Sequence, residues 1–289
     1  MPPFSQLLRA PCWQLPRRTL HFGKRPLLMG IINATPDSFS DGGRFFDPQT
    51  AIARGLELVA AGADLLDIGG ESTRPYSAPV SAEEELRRVL PVVQNLAQQC
   101  KAALSIDTSK SVVAQACLEA GAEIINDVTG LTGDPQMLPL AVKTGAAVCV
   151  MHMQGTPQTM QDDPHYANVT QDILQYLLQR RASLESVGIP RPRIALDPGI
   201  GFGKTHAHNL TLLSTCWQFH TLDCPLLLGP SRKGFIAKVL GDKEIERDTG
   251  TIGVALALAS QGVQVLRVHD VASIHRALQL FIACGAMDG

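Results

Sequence analysis

Ile194–Thr205, IALDPGIGFGKT, shows the pattern that recurs along the chain. A short apolar run climbs to Asp197, Pro198 and Gly199 break the extended pattern, and Gly201 and Gly203 keep the backbone slim on its way to Lys204. This is how the carboxyl end of a buried strand opens into a ligand-facing loop. A carboxylate there is costly to desolvate without a partner. Asp197 either caps its own turn or awaits a polar ligand group, and the stretch by itself leaves both open.

Outward from it, short apolar runs alternate with amphipathic segments along the chain. Strands are expected at Leu27–Ile32, Asp64–Ile68, Ala103–Asp107, Glu123–Asn126, Ala146–Met151, Arg193–Asp197, Pro225–Leu228 and Val263–Val268. Helices are expected at Pro48–Ala61, Ala82–Gln98, Ser109–Ala120, Asn168–Val187, His206–His220, Asp248–Ala259 and Asp270–Ala283. Eight strands alternating with helices in a chain of 289 residues point to an α/β protein, a (β/α)8 TIM barrel, with a doubly wound open sheet as the alternative. Residues 1–20 read as a short N-terminal extension, loosely ordered over Met1–Thr19, and residues 21–289 as one barrel domain.

Composition excludes several classes. A net charge of −2 and the absence of a basic, aromatic-interleaved patch argue against a nucleic-acid partner. No apolar stretch is long enough to span a bilayer, and the first twenty residues lack a signal-peptide apolar core. The 7 cysteines are odd in number and scattered, without a CxxC pair, as expected of reduced thiols in the cytoplasm.

In a barrel the carboxyl ends of the strands converge on one face. The first run ends at Asn33, whose carbonyl oxygen suits a hard cation, and leads into a polar loop with Phe39 near its middle, placed as a lid over a flat ligand. The second carries Asp67, with an orienting and a functional reading held equal, then Thr73-Arg74-Pro75, whose guanidinium suits a carboxylate or phosphate. Asp107 ends the third. Asn126 and Asp127 end the fourth and face opposite ways, so only one enters the barrel; Asn126 shares a face with Ile124. On the fifth, Met151 and Met153 line one side and His152 the other. Phe202 adds a second aromatic after Asp197. Lys233 stands where a helix begins, a place unfavourable to a cation unless a ligand compensates, beside backbone amides that could seat an anion. Arg267 and His269 project from one face at the end of the eighth run, a usual place for phosphate in barrels. Acceptors from Asp107, Asn126 and Asp197 with the donor Lys233 suit a ring with adjacent N–H groups. Arg267, His269 and Asn33 form an anion-friendly half.

The segments GIINATPDSFSDGG, LLDIGGESTRP, SIDTSK, INDVTG, MHMQGTP, LDPGIGFGKT, GPSRKGFI and RVHDV, in this order between about residues 28 and 271, resemble those of the dihydropteroate synthase family, bacterial-type enzymes of folate biosynthesis on a pterin-binding barrel. The resemblance implies a transferase that condenses (7,8-dihydropterin-6-yl)methyl diphosphate with p-aminobenzoate, giving 7,8-dihydropteroate and diphosphate by Mg²⁺-assisted dissociative loss of the leaving group. It implies that Asp107, Asn126, Asp197 and Lys233 hold the pterin, that Asn33 binds Mg²⁺ with the diphosphate, and that Arg267 and His269 grip that anion. Thr73, Arg74, Pro75, Phe39 and Phe202 would frame the aminobenzoate. Asp107, Lys233 and Arg267 are the candidates for a catalytic role. It further implies a homodimer and a target of sulfonamides. Two positions depart from the family: Tyr76 follows Arg74-Pro75 where Gly is common, and Gly234 follows Lys233 where many members have Ser. Two rivals are a methyltetrahydrofolate-dependent methyl transferase on a similar barrel, which would not need Asn33 or the Arg267–His269 pair, and a non-catalytic pterin-binding paralogue.

Overall fold

The computed structural model describes residues 3–35, 47–73, 77–241 and 247–287. Eight parallel strands form the barrel: β3 (Leu27–Asn33), β4 (Leu65–Gly69), β5 (Ala103–Asp107), β6 (Ile124–Asp127), β7 (Ala147–Met151), β8 (Ile194–Asp197), β9 (Leu227–Leu228) and β10 (Val265–Val268). The ladder runs β8-β7-β6-β5-β4-β3-β10-β9, and a parallel bridge from Leu196 to Leu226 closes it. Around it lie α1 (Pro48–Ala60), α2 (Ala82–Gln99), α3 (Ser111–Ala120), α4 (Met137–Thr144), α5 (Val169–Ser186), α6 (His206–Thr215), α7 (Gly234–Leu240), α8 (Asp248–Ser260) and α9 (Val271–Ala283). The expected strands agree to within one or two residues at each end. The helix expected over His206–His220 is α6 followed by a tighter 3-10 stretch, Cys216–Leu222. The short helix α4 was not anticipated, whereas α7 begins directly after Lys233, where a helix start was expected.

Local chemistry sets the helix starts. Asp47 accepts from Gln49 and Thr50 amides before α1, Ser81 from Glu84 before α2, Thr205 from His208 before α6 and Asp270 from Ser273 before α9. Each satisfies an amide that the helix leaves unpaired.

The extension corrects one expectation. Far from loose, its residues form an antiparallel hairpin, β1 (Cys12–Gln14) with β2 (Thr19–His21). Trp13 is fully buried and donates its indole N–H to the Arg193 carbonyl at 3.1 Å. Trp13 and Leu15 pack against Met29, Leu65, Ala103, Ile124, Ala147, Ala195, Leu227 and Val265, one side chain from each barrel strand. The hairpin is thus the floor of the barrel.

That ring fixes the interior face, because side chains alternate along a strand. Two residues above it the same face presents Asp67, Ser105, Asn126, Cys149, Asp197 and Arg267, with Ile31 and Gly229 completing the ring. A further step gives Asn33, Asp107 and Met151. The layer above an apolar floor is therefore polar, and it sits at the end of the barrel where loops can build a site.

Candidate active site

The polar layer is wired across the barrel. Fully buried Asp67 accepts at Oδ2 from Arg267 Nε at 2.6 Å and from Asn126 Nδ2 at 3.0 Å. Arg267 Nη2 reaches Asp107 Oδ2 at 2.7 Å. Three strands are tied by one guanidinium, whose remaining Nη1 makes no hydrogen bond to a described residue. Since Ile124 belongs to the floor ring, Asn126 enters the barrel, and Asp127 turns outward to accept from Thr129 and Leu131. Asp67 thereby takes the orienting place: it bonds Asn126 and Arg267 and reaches no solvent.

Two carboxylates share one guanidinium. Burial raises Asp107 to about 7, the Asp67 charge adding to the rise and Arg267 opposing it. Burial alone would lower Arg267, but Asp67 and Asp107 outweigh it and hold its pKa above the usual value.

Asp197 is buried at the top of β8, and its Oδ1 accepts from the Gly199 amide at 2.7 Å. Burial raises it to about 6, opposed first by the Gly199 hydrogen bond and then by the charges of Lys204, Lys233 and Arg267. Asp197 and Arg267 thus act on one another's charge and belong to one site. Lys233, before α7, places its ammonium 4.1 Å from the centre of the Phe202 ring. Burial lowers it to about 8, Arg267 lowers it further, and Asp197 and Asp107 pull it up.

His269 follows β10. Its Nδ1 lies 2.9 Å from the hydroxyl of buried Ser231, and its carbonyl accepts from Arg54 of α1 at 3.0 Å. Burial, then the charges of Arg232 and Arg267, lower His269 to about 3, so the imidazole is neutral at pH 7. Asn33 ends β3, partly exposed at the mouth. Among the described residues no three His, Cys, Asp or Glu side chains gather to cage a metal. Thr73 lies partly buried beyond β4. The base of its loop is fixed: Lys110 Nζ bonds Glu71 and Glu85 at 2.6 Å each, and Glu71 accepts from the Val80 amide at 2.8 Å. Phe39, Arg74, Pro75 and Tyr76 lie outside the described residues.

Three participants had no clear signal in the sequence. Ser231 was only a neighbour of Lys233, and its partner is 38 residues away. Asp67 gave an even reading because both its partners sit on other strands. Lys204 is 2% exposed, a burial its glycine-rich surroundings did not announce.

The family of pterin binding enzymes matches residues 29–269. Dihydropteroate synthase of Escherichia coli strain K12 is 44% identical over 255 residues, covering 88% of this chain and 90% of that one. The crystal structure of the Yersinia pestis dihydropteroate synthase in a sulfonamide drug complex has a TM-score of 0.89 and 42% identity, covering 95% of this chain and 99% of that one. The Xanthomonas albilineans dihydropteroate synthase with 4-aminobenzoic acid has a TM-score of 0.89 and 43% identity, covering 96% and 99%.

Proposed function

This chain belongs to the dihydropteroate synthases among the pterin binding enzymes, and from that premise we propose how its own residues divide the work. The activity is a transfer in folate biosynthesis: the methylene carbon of (7,8-dihydropterin-6-yl)methyl diphosphate is joined to the amine of p-aminobenzoate, and diphosphate leaves.

Asp107, Asn126 and Asp197 offer acceptors and Lys233 a donor to the pterin. A ring with adjacent N–H groups gains most from a carboxylate that is ionised and already desolvated. Asp197 meets that need: it is buried, yet three cations oppose its protonation. Arg267 stands between the two halves of the pocket, held by Asp67 and Asp107, and turns Nη1 to the departing anion. His269, neutral in the free protein, donates from Nε2 while Nδ1 accepts from Ser231. Thr73, Arg74, Pro75, Phe39 and Phe202 frame the aminobenzoate, which attacks as a neutral amine and needs no strong base.

For a metal, the donor set at the mouth is one amide oxygen, Asn33, with no carboxylate cage among the described residues. That fits Mg²⁺, a hard cation that keeps waters and is commonly held through substrate phosphates with few protein ligands. When bound it would neutralise charge on the leaving diphosphate. The chain's own part is to hold the anion through Arg267 and His269 and to exclude water from the positive charge left on the pterin methylene.

Residues 21–289 are the catalytic barrel, and residues 12–20 serve it as a floor. A homodimer in the cytoplasm is the assembly and place we assign. The 7 unpaired cysteines agree with the place, and no helix among the described residues is long and apolar enough to cross a membrane.

The convergence of Asp107, Asn126, Asp197, Lys233 and Arg267 from separate strands and loops onto one mouth carries this reading. Purified protein given pterin diphosphate, p-aminobenzoate and Mg²⁺ should release diphosphate only when both organic substrates are present. Pterin binding without release would mark a non-catalytic paralogue. Methyl transfer from methyltetrahydrofolate, without release, would mark the methyl transferase.

A further inference from the structure

Lys204 is given no ligand in the roles above, yet its charge acts on Asp197. Its Nζ lies 2.8 Å from the carbonyl of Phe202, 3.2 Å from that of His152 and 3.1 Å from His152 Nδ1. Three acceptors match the three hydrogens of an ammonium, so the charged form is fully satisfied. A neutral amine would leave one acceptor empty. His152 supplies a lone pair at Nδ1 because burial, helped by the Lys204 charge, lowers it to about 3 and keeps it neutral.

These bonds join two loops, the one after β7 and the one after β8. The loops touch backbone to backbone: a Cβ on Gly199 would fall 2.0 Å from the His152 carbonyl oxygen, and one on Gly203 would fall 2.5 Å from that of Gln154. Around the ammonium the second loop is held by Tyr166, whose hydroxyl donates to the Gly203 carbonyl at 2.6 Å, and by Asn209, which accepts from the Gly201 amide at 2.7 Å. Lys204 is the member of this set that brings charge. That charge opposes the burial which raises Asp197, while Asp197 opposes the burial which lowers Lys204 to about 7.

We propose that Lys204 is a positioning residue for the pterin half of the site: it stitches the β7 and β8 loops together from behind and supplies the buried positive charge that keeps Asp197 an ionised acceptor. The inference rests on the reading of Asp197 as a pterin ligand. The charged or titratable groups facing the pair are Cys149 on β7, His152 after it, His208 on α6, Lys233 before α7 and Arg267 on β10. Cys149 is held as a thiol by burial, which raises it well above its usual value. Asp107 titrates in the same range, but its causes are burial, Arg267 and other carboxylates, so its contribution is common to wild type and Lys204 variants.

Lys204→Met keeps the length of the side chain and removes the charge; Lys204→Gln keeps bonds to the carbonyls. Binding of the pterin diphosphate is measured by calorimetry from pH 5 to 9 for both, with wild type and Asp197→Asn alongside. In both Lys204 variants the pH below which affinity falls should move upward by about one unit, so affinity should drop by about twofold at pH 7 and by nearly tenfold at pH 5, where both proteins hold Asp197 mostly protonated and one pKa unit is worth a factor of ten. Equal weakening at every pH, with no shift, would make Lys204 a mere loop anchor and overturn the proposal. Failure of both variants to fold would assign it to the fold and overturn the proposal as well. If Asp197→Asn binds as wild type does, the fault lies in the reading of Asp197 itself.

Discussion

Asp67→Asn changes one buried oxygen to nitrogen and should be felt in two separate ways. In the wild type, Oδ2 receives both Arg267 Nε and Asn126 Nδ2. Asn126 can turn its amide over and keep a bond, so the loss falls on Arg267. Breaking a buried ion pair by removing one partner costs about 3–5 kcal/mol. The amide oxygen of the variant still accepts one bond, so the low end, about 3 kcal/mol, is expected here. For a chain of this size that lowers the melting temperature by roughly 6–12 °C. The second effect is electrostatic. The Asp67 charge helps raise Asp107 to about 7, and without it Asp107 titrates lower. Scanning calorimetry reads the first effect. The second is read from the acid limb of the pH–rate profile, which should move to lower pH even as the rate falls with the loss of Arg267 alignment. An unchanged melting temperature, or an acid limb moved upward, would refute the reasoning.

Four further outcomes are expected. Trp13→Ala opens the floor of the barrel and should cost about 3–5 kcal/mol in a urea titration, with the Michaelis constants little changed because the floor is remote from the mouth. Gly234→Ser meets no obstacle, its added Cβ finding only His206 Cε1 at 3.9 Å; a restored hydroxyl contact worth about 1 kcal/mol should lower the p-aminobenzoate Michaelis constant about fivefold. Stability should decline in acid. His152, His220 and His269 sit near 3, 4 and 3 when folded, so below about 6.5 the unfolded chain takes up protons the native state refuses. Asp107 and Asp197, raised to about 7 and 6, act the other way, since the native state protonates them first as pH falls and they favour folding in acid. Three groups against two leave a net loss near one proton, about 1.4 kcal/mol per pH unit between about pH 6 and 4. Asp197→Asn removes one opposing group, and the slope from urea midpoints should about double.

Much of this was legible in the sequence because two periodicities carry it. Apolar runs ending in Asp, Asn or Arg located the strands, and the convergence of strand ends in a barrel brought Asn33, Asp107, Asp197 and Arg267 to one mouth. Asn126 against Asp127 could be decided only once Ile124 was seen in the floor ring. What stayed hidden depends on partners distant in sequence. The hairpin Cys12–His21 has strands of three residues around Pro16, and only Trp13 against Leu15 hints at its buried side. Asp67 looked ambiguous because its meaning lies in Arg267, 200 residues later. His269 was read only as part of an anion-friendly half, and its neutral state, set by burial and two neighbouring guanidiniums, shows only in the fold. Lys204 was read only as the end of a glycine-rich turn, and only the folded loop shows its three acceptors.

Acids, an amide and cations from distant strands form one mouth, half shaped for a bicyclic ring and half for its departing anion. Calorimetry of the pterin diphosphate and of the same pterin without its diphosphate, on Asp197→Asn and Arg267→Gln, tests it directly. Asp197→Asn should weaken both ligands alike, by about 10–100-fold, and Arg267→Gln should weaken the diphosphate form at least tenfold more than the bare pterin. Equal loss of both ligands in Arg267→Gln, or an Asp197→Asn effect confined to the diphosphate form, would contradict the account.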